Sequence, residues 1–155
     1  MRIVSTTLLL LLIGSCQWSE NRHITRKVAA AEVAGHWVAT PFAMESLRYA
    51  GHREHLNPSD HQIEIRADGT CTFQSVLNID LNGSGGDALY TREMESCRWR
   101  LLDFTKHSEI WIGLDQHDTG QTYYSFAEEE GRLFMWRYAG DPDAWKYMEF
   151  TRRDG

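Results

Sequence analysis

The chain has 155 residues, with 16 Lys or Arg and 22 Asp or Glu side chains, so its formal net charge at pH 7 is −6. The positive charges are scattered among acidic residues and form no basic stripe, which disfavours nucleic acid as a partner. A chain of this length suits one domain with a hydrophobic core of its own.

An apolar run lies near the amino terminus. Residues 3–13 are mostly apolar, follow Arg2 and precede the small residues Gly14 and Ser15. This layout is typical of a secretory signal peptide, whereas a membrane-spanning helix would need about 20 apolar residues. We therefore predict that residues 1–15 are a signal peptide. Its removal takes away one Arg and no acidic residue, which leaves 15 basic and 22 acidic side chains and a net charge of −7.

The quartet Ile13-Gly14-Ser15-Cys16 at the end of this run resembles the lipobox of bacterial lipoproteins. In that group the cysteine is acylated and becomes the first residue, so the resemblance implies a lipid anchor on Cys16. Each buried methylene of such an anchor contributes about 0.8 kcal/mol. Gln17 stands where an aspartate signals inner-membrane retention in enterobacteria, so the resemblance implies a bacterial cell-envelope protein anchored in the outer membrane and facing the periplasm. The alternative is ordinary signal cleavage, with Cys16 lost or left as a free thiol.

The mature chain is predicted to begin with a tether. Residues 17–27 are polar, contain one Trp and show no periodicity, while "VAAAEV" at 28–33 favours a short helical turn that stops at Gly35. We accordingly assign residues 16–32 to a tether and residues 33–153 to the folded domain.

From Gly35 the pattern changes to two-residue alternation, which is typical of strands. Residues 35–40 are predicted to form the first strand. Ile63 and Ile65 then alternate with polar residues before the turn sequence "ADGT", and residues 70–76 favour a returning strand, so a hairpin is predicted here. Further strands are predicted at residues 96–102, 109–114, 122–128, 132–138 and 146–152.

About eight strands joined mostly by short links predict an all-β fold, an antiparallel up-and-down β-barrel. Closing the sheet removes the two exposed edges that an open sheet would leave. The interior of such a barrel is either filled by side chains or holds one small ligand. Two longer segments interrupt the strands: residues 41–61 are expected to contain a short helix over one barrel mouth, and residues 78–92 are predicted to be a Gly-rich loop.

Three residues carry a second resemblance. Gly35 and Trp37 form a Gly-x-Trp at the start of the first strand, and Arg152 lies on the last strand, where it shares a face with Met148 and Phe150. This arrangement resembles the lipocalin-like (calycin) group. The resemblance implies that the Trp37 ring closes the bottom of the barrel and that Arg152 packs across it, which would contribute about 0.5–2 kcal/mol.

Cys71 and Cys97 are the only cysteines besides Cys16. An exported chain meets an oxidising compartment, so we predict that these two form a disulfide. In the chain-entropy model a loop of about 25 residues would gain roughly 3 kcal/mol. Two buried free thiols are the alternative. A metal site is less favoured because neither cysteine has a second Cys or His at a ligand spacing.

Other polar clusters favour no reaction. His52 and His55, with His61 nearby, would share a helix face and could hold zinc or copper, but no further ligand stands at a convincing spacing. Asp141 and Asp143, like the run at residues 128–130, could bind calcium or act as an acid/base pair but are more simply explained by turns or a solvated strand end. No nucleophile elbow is present. We expect no catalytic site, no metal and no cofactor.

The placement of the aromatic residues is compatible with two functions. Most are expected in the core, but "TYYSF" and "LFMWRY" place large side chains on both faces of their strands. We therefore expect a lipid-anchored, non-enzymatic envelope protein whose barrel holds a small, largely apolar ligand. The alternative is an interaction or inhibitor module with a filled barrel that presents an outward aromatic patch to another envelope protein.

Overall fold

The computed structural model describes residues 24–49, 53, 56–74, 77–79, 87–89, 95–114, 121–138 and 147–153. Its helices are α1 (Ala30–Val33), α2 (Pro41–Tyr49) and a 3-10 helix (Pro58–Asp60). Its strands are β1 (Gly35–Ala39), β2 (Gln62–Ile65), β3 (Thr70–Gln74), β4 (Leu77–Ile79), β5 (Asp87–Leu89), β6 (Glu95–Asp103), β7 (Ser108–Leu114), β8 (Gln121–Glu129), β9 (Arg132–Tyr138) and β10 (Tyr147–Arg152).

Eight of these strands form a closed antiparallel barrel in the order β1-β10-β9-β8-β7-β6-β3-β2. Each pairs with its neighbour along the chain, except that β3 is followed by β6, and β1 closes the sheet on β10. The predicted all-β up-and-down barrel with a short amino-terminal helical turn is confirmed. We call the end that holds Gly35, Ile65 and Arg152 the basal end, and the opposite end, where β1 passes into α2, the helix end.

One predicted loop contains strands. Residues 78–92 were expected to be a Gly-rich loop, but β4 and β5 form a separate two-stranded ladder with Leu77 opposite Leu89 and Ile79 opposite Asp87. Strands of three residues are too short to show a two-residue alternation against a background rich in Gly and Asn. The prediction of a loop over the whole segment was therefore wrong.

Alternate side chains of the eight barrel strands point into the barrel interior. Buried and half-buried residues alternate along β2 and β3, as the hairpin prediction requires. The buried apolar side chains of the strands belong to one cluster that includes Trp37, Ile63, Ile65, Phe73, Trp99, Ile110, Ile112, Tyr124, Phe126, Met135, Met148 and Phe150. The hydrophobic core of the protein is therefore the inside of the barrel.

Local chemistry explains the tight turn between β8 and β9. Glu130 and Gly131 connect the strands and have φ of 52° and 76°. Two positive φ values match the twist of flanking strands in a two-residue hairpin, and glycine accepts this conformation without strain. The turn fixes the register that places Phe126 opposite Met135 inside the barrel.

Helix α2 begins at a capping threonine and packs on the core. The Thr40 hydroxyl accepts a hydrogen bond from Ala43 N–H (3.2 Å) and donates one to Glu149 Oε1 (3.0 Å), and Pro41 follows at the first helical position. Ala43, Met44 and Leu47 are buried in the main cluster. The helix expected within residues 41–61 is thus present and covers part of the helix end.

The segment before α1 also packs on the barrel. Ile24 and Val28 are buried in the main cluster, Ile24 N–H donates to Phe126 O (3.3 Å), and Val28 N–H donates to the Ser108 hydroxyl (3.2 Å). Residues 24–32 are therefore part of the folded barrel, although the sequence analysis assigned residues 16–32 to a tether. Isolated apolar residues in a polar run give no periodic signal, which is why the sequence placed the boundary later.

Candidate functional site

The structure brings Gly35, Trp37 and Arg152 together at the basal end. Trp37 is fully buried, its Nε1–H donates to Val33 O (2.8 Å), and it lies opposite Arg152 in the β1–β10 register. A Cβ placed on Gly35 would approach Arg152 Nε to 2.9 Å, and Arg152 Nη1 donates to Glu32 O (3.3 Å). The arginine thus lies across the Gly35 backbone and bonds to α1, while the Trp37 indole fills the barrel beneath.

Ion pairs hold residues 24–33, which we call the basal segment, against the strands. Arg26 contacts both Glu32 (2.8 Å) and Glu128 (3.1 Å), and Lys27 contacts Asp103 (3.3 Å). The hydrogen bonds from Arg26 lower the pKa of Glu32. The Ser108 hydroxyl and, after it, Lys27 lower the pKa of Asp103. These polar side chains all have partners, so the basal end is closed by the chain itself.

A disulfide joins Cys71 and Cys97, which confirms the predicted pairing. The two residues face each other in the β3–β6 register, with Cα atoms 4.8 Å apart. Both side chains are buried in the main cluster. The bridge therefore links strands from two separated parts of the chain inside the core.

A different polar arrangement lies in the barrel interior nearer the helix end. Tyr124 on β8 is fully buried and lies opposite Ile110 on β7, and its ring packs edge-on against Phe150 at 5.6 Å. The guanidinium carbon of Arg137 on β9 lies 5.8 Å from the centre of the Tyr124 ring. Arg137 Nη1 donates a hydrogen bond to the Thr122 hydroxyl. An arginine and a tyrosine from neighbouring strands therefore meet inside an apolar barrel.

Neither group of this Tyr124–Arg137 pair is fully satisfied. The Tyr124 hydroxyl is buried and makes no hydrogen bond of normal geometry, although the polar groups of Thr122 and Arg137 lie within reach of it. Burial raises the pKa of Tyr124 to about 12, an effect that the charge of Arg137 and the polar contacts with Thr122 and Arg137 only partly oppose. Arg137 is half-buried, and within the described ranges no carboxylate forms an ion pair with it. The pair thus presents a neutral O–H donor and a cation that has no counter-ion in the part of the chain that the structure describes.

The chemistry of this pair favours binding over catalysis. At neutral pH a tyrosine with a raised pKa keeps its proton, and an arginine remains charged. Both groups can donate hydrogen bonds, but neither is poised to take up a proton from a substrate. Their neighbours include Met148, which lies opposite Arg137, and Met135 on the same strand face. The arrangement suits an acceptor or an anion on an otherwise apolar molecule.

Several residues proposed from the sequence lie outside the described residues: Cys16, His52, His55, Asp141 and Asp143. His61 is described and fully buried. In the described part of the chain, no three His, Cys, Asp or Glu side chains come together as metal ligands. In that same part, no helix has the length and apolar character needed to cross a bilayer.

Tyr124 and Arg137 were not among the site residues that the sequence predicted. Along β9, Leu133, Met135 and Arg137 share the inward face because successive strand residues alternate between faces. A basic residue on the apolar face of a predicted strand was therefore the available signal for this site. The choice of face for "TYYSF" depended on the register of β8, which the sequence did not fix.

Comparisons of the chain with protein-family models, with curated proteins and with solved structures found no match.

Proposed function

We propose that this chain is a lipid-anchored protein of the bacterial cell envelope whose barrel is a non-enzymatic binding domain for a small, largely apolar ligand. The observation that supports this best is the buried Tyr124 hydroxyl, which makes no hydrogen bond of normal geometry, beside Arg137, which has no carboxylate partner among the described residues. Leaving a buried donor unsatisfied costs about 1–3 kcal/mol, and a ligand with a suitable acceptor would recover that free energy. An eight-stranded barrel can hold one small ligand.

The side chains around the pair fit an adaptable pocket. Met135 and Met148 line the interior next to Arg137, and Met44 is buried on the inner side of α2. Methionine is unbranched and flexible, so it can move aside for ligands of different shapes. Helix α2 would then act as the lid that a ligand displaces at the helix end.

The proposed anchor also suits the position of the basal segment. Seven residues, 17–23, separate the proposed lipidation site Cys16 from Ile24, which contacts Phe126. The eight Cα steps between Cys16 and Ile24 span at most about 29 Å. A lipid on Cys16 would hold the basal end close to the bilayer and leave the helix end farther from the membrane.

Two measurements test these statements. Native mass spectrometry of the mature protein released from its host should show a bound small molecule that dissociates on unfolding. If the protein carries no small molecule and binds none of a graded series of apolar compounds, the ligand-binding function is wrong.

Cys16→Ser should release the protein into the soluble fraction, with Cys71→Ser as the control that keeps it membrane-bound. Full retention of the Cys16→Ser protein on the membrane would contradict the anchor.

A second candidate function is a protein-interaction module with a filled barrel. The fully buried side chains of Trp37, Tyr124 and Phe150 occupy much of an eight-stranded interior. The outward faces of β9 and β10 carry an outer aromatic cluster made of Phe134, Trp136, Tyr138 and Tyr147. Trp136 packs edge-on against Tyr138 at 5.4 Å and Tyr147 at 5.1 Å. Recovery of one stoichiometric envelope protein from detergent extract, without a small ligand, would favour this candidate.

A further inference from the structure

We propose that the ligand is an anionic amphiphile, whose negatively charged head group is bound by the Arg137 guanidinium and the Tyr124 hydroxyl inside the barrel. This inference rests on the proposed ligand-binding function and adds the sign and the position of the ligand charge. The head group would take the place of the missing counter-ion, and its apolar body would lie against the methionine and aromatic side chains of the interior.

The charged residues on the inner face of the barrel differ in whether they have partners of opposite charge. Among the described side chains on the inner face of the barrel, Asp103 is bound by Lys27 and Ser108, and Glu128 is bound by Arg26. Arg137 has a hydroxyl, an aromatic ring and a thioether as neighbours. A partly desolvated cation without a counter-ion is unfavourable. The acids of the basal end are thus already paired, whereas the cation nearer the helix end has no acid partner among the described residues and can accept an external anion.

The carboxylate of Glu149 does not neutralise Arg137 either. Glu149 lies opposite Trp136, on the face of β10 that points away from Met148 and Arg137. Its Oε1 accepts the hydrogen bond of the Thr40 hydroxyl that caps α2. The buried acid nearest in sequence to this part of the barrel therefore serves the helix and faces the opposite side of the sheet.

Arg137 and Tyr124 place hydrogen-bond donors close to each other. An arginine carries five N–H groups, and Arg137 uses one in its hydrogen bond to Thr122. The Tyr124 O–H is buried beside Thr122 and Arg137 and makes no hydrogen bond of normal geometry. With the guanidinium carbon 5.8 Å from the Tyr124 ring centre, the two residues offer donors from adjacent strands to one small acceptor group. A carboxylate has two oxygens and can accept from both donors at once.

Apolar side chains surround these two donors. Ile110, Met135, Met148 and Phe150 are all fully buried. Ile110 and Met148 lie opposite members of the pair in neighbouring strands, and Phe150 packs on the Tyr124 ring. Such walls exclude hydrophilic ions, because a free inorganic anion would lose its hydration without gaining apolar contacts. An alkyl or ring system attached to the anion fits both the donors and the walls.

The experiment compares three probes that share a ten-carbon chain and differ in head-group charge: decanoate, decanol and decyltrimethylammonium. Each is titrated below its micelle concentration, at pH 8, into the complete mature chain with Cys16→Ser, which keeps every described residue. We expect decanoate to bind at least about tenfold more tightly than decanol, the ratio for one charge-assisted hydrogen bond. Decyltrimethylammonium should bind more weakly than either.

Variants assign the effect to the pair. Arg137→Met should reduce the preference for decanoate over decanol to less than about threefold, whereas Arg137→Lys should keep part of it. Tyr124→Phe should weaken decanoate binding severalfold and leave decanol binding unchanged. Arg132→Met is the matched control, because Arg132 is on the same strand but is exposed and lies over the Phe134 ring. It should change neither probe. If Arg137→Met fails to fold, the Arg137→Lys and Tyr124→Phe results decide.

The outcomes separate this inference from the function on which it rests. Equal binding of decanol and decanoate by the wild-type protein would overturn the anionic head group but leave an apolar ligand site in place. Unchanged decanoate preference in Tyr124→Phe and Arg137→Lys would also overturn it, because the charge would then be recognised elsewhere. Binding of none of the three probes would overturn both the inference and the proposed function.

Discussion

The two ends of the barrel differ in how completely their polar groups are hydrogen-bonded or ion-paired. At the basal end, Trp37 Nε1–H bonds to a carbonyl, Arg152 bonds to α1, and the Arg26 and Lys27 side chains have carboxylate partners. Toward the helix end, the buried Tyr124 hydroxyl makes no hydrogen bond of normal geometry. Buried polar groups are nearly always satisfied within a protein, so an exception needs an explanation. The comparison teaches that the basal end is built for closure and that the region nearer the helix end is the place to look for a ligand.

The largest expected effect tests the structural role of the basal end. Trp37→Ala removes a fully buried indole and its hydrogen bond to Val33 O, so we expect a loss of about 3–5 kcal/mol in the free energy of unfolding. Urea denaturation of the purified domain measures it. Trp111→Ala is the control, because Trp111 is half-buried on the outer face, beneath Arg100; its loss should be much smaller. Equal losses would mean that Trp37 is not a special closing residue.

A smaller effect is expected at Gly35, beside the same closure. Its φ of +149° disfavours any residue with a Cβ, and that Cβ would also meet Arg152 Nε at 2.9 Å. Gly35→Ala should therefore destabilise the protein by about 1–3 kcal/mol. Adding Arg152→Ala should remove the steric part of this loss. Gly131→Ala, where φ is +76° and nothing lies within 4 Å of the added Cβ, isolates the backbone part, and it should cost less than Gly35→Ala in the same thermal or urea titration.

Tyr124 sharpens the other side of the comparison through pH. Below pH 10 the tyrosine is protonated in both the folded and the unfolded chain, so it causes no pH dependence. Between its ordinary pKa of 10 and the raised pKa of about 12, the unfolded chain loses the proton first, and stability falls as the pH rises. By pH 11 this contribution amounts to about 1.4 kcal/mol. Unfolding free energies at pH 9 and pH 11 should therefore differ less in Tyr124→Phe than in the wild-type protein.

The control for that measurement is the neighbouring residue. Tyr123 points outward and is 42% exposed, so Tyr123→Phe should retain the full alkaline loss. At pH 7, Tyr124→Phe deletes a buried hydroxyl that makes no hydrogen bond of normal geometry, and its stability should be equal to or above that of the wild-type protein. A loss of more than about 1 kcal/mol at pH 7 would show that the hydroxyl has a structural partner after all, and the candidate site would lose its main support.

The strands that could be predicted from the sequence are those with a long run of strand-forming residues. Strands β6 to β10 were predicted within two residues of their bounds, because each is a run of six or more residues that is rich in apolar, aromatic or β-branched side chains. The short β4 and β5, and the packing of Ile24 and Val28, were missed because so few residues give no period. The Tyr124–Arg137 pair depends on the β8–β9 register, and register arises from the turn and from the whole barrel, not from either strand alone.

The smallest effect returns to the ion pairs of the basal segment. Arg26 and Glu128 are exposed and Glu32 is half-buried, so we expect Arg26→Ala to cost at most about 1 kcal/mol and the loss to shrink at high salt. Because the pKa of Glu32 is lowered in the fold, its contribution is present above the ordinary pKa and disappears as the pH falls through the lowered one. The protection of the amides in residues 24–34 against hydrogen exchange, relative to the intrinsic rate at each pH, should accordingly fall below about pH 4.

The Arg26 experiment also decides whether the basal segment opens separately from the barrel. Lys106→Ala is the control, since Lys106 is exposed and has no ion pair among the described residues. We expect Arg26→Ala to quicken exchange only in residues 24–34, while the Val28 amide keeps some protection from its bond to the Ser108 hydroxyl. If exchange quickened equally in β9 and β10, the segment and the barrel would open as one unit. The basal end would then depend on the ion pairs for its closure more than on the burial of Trp37.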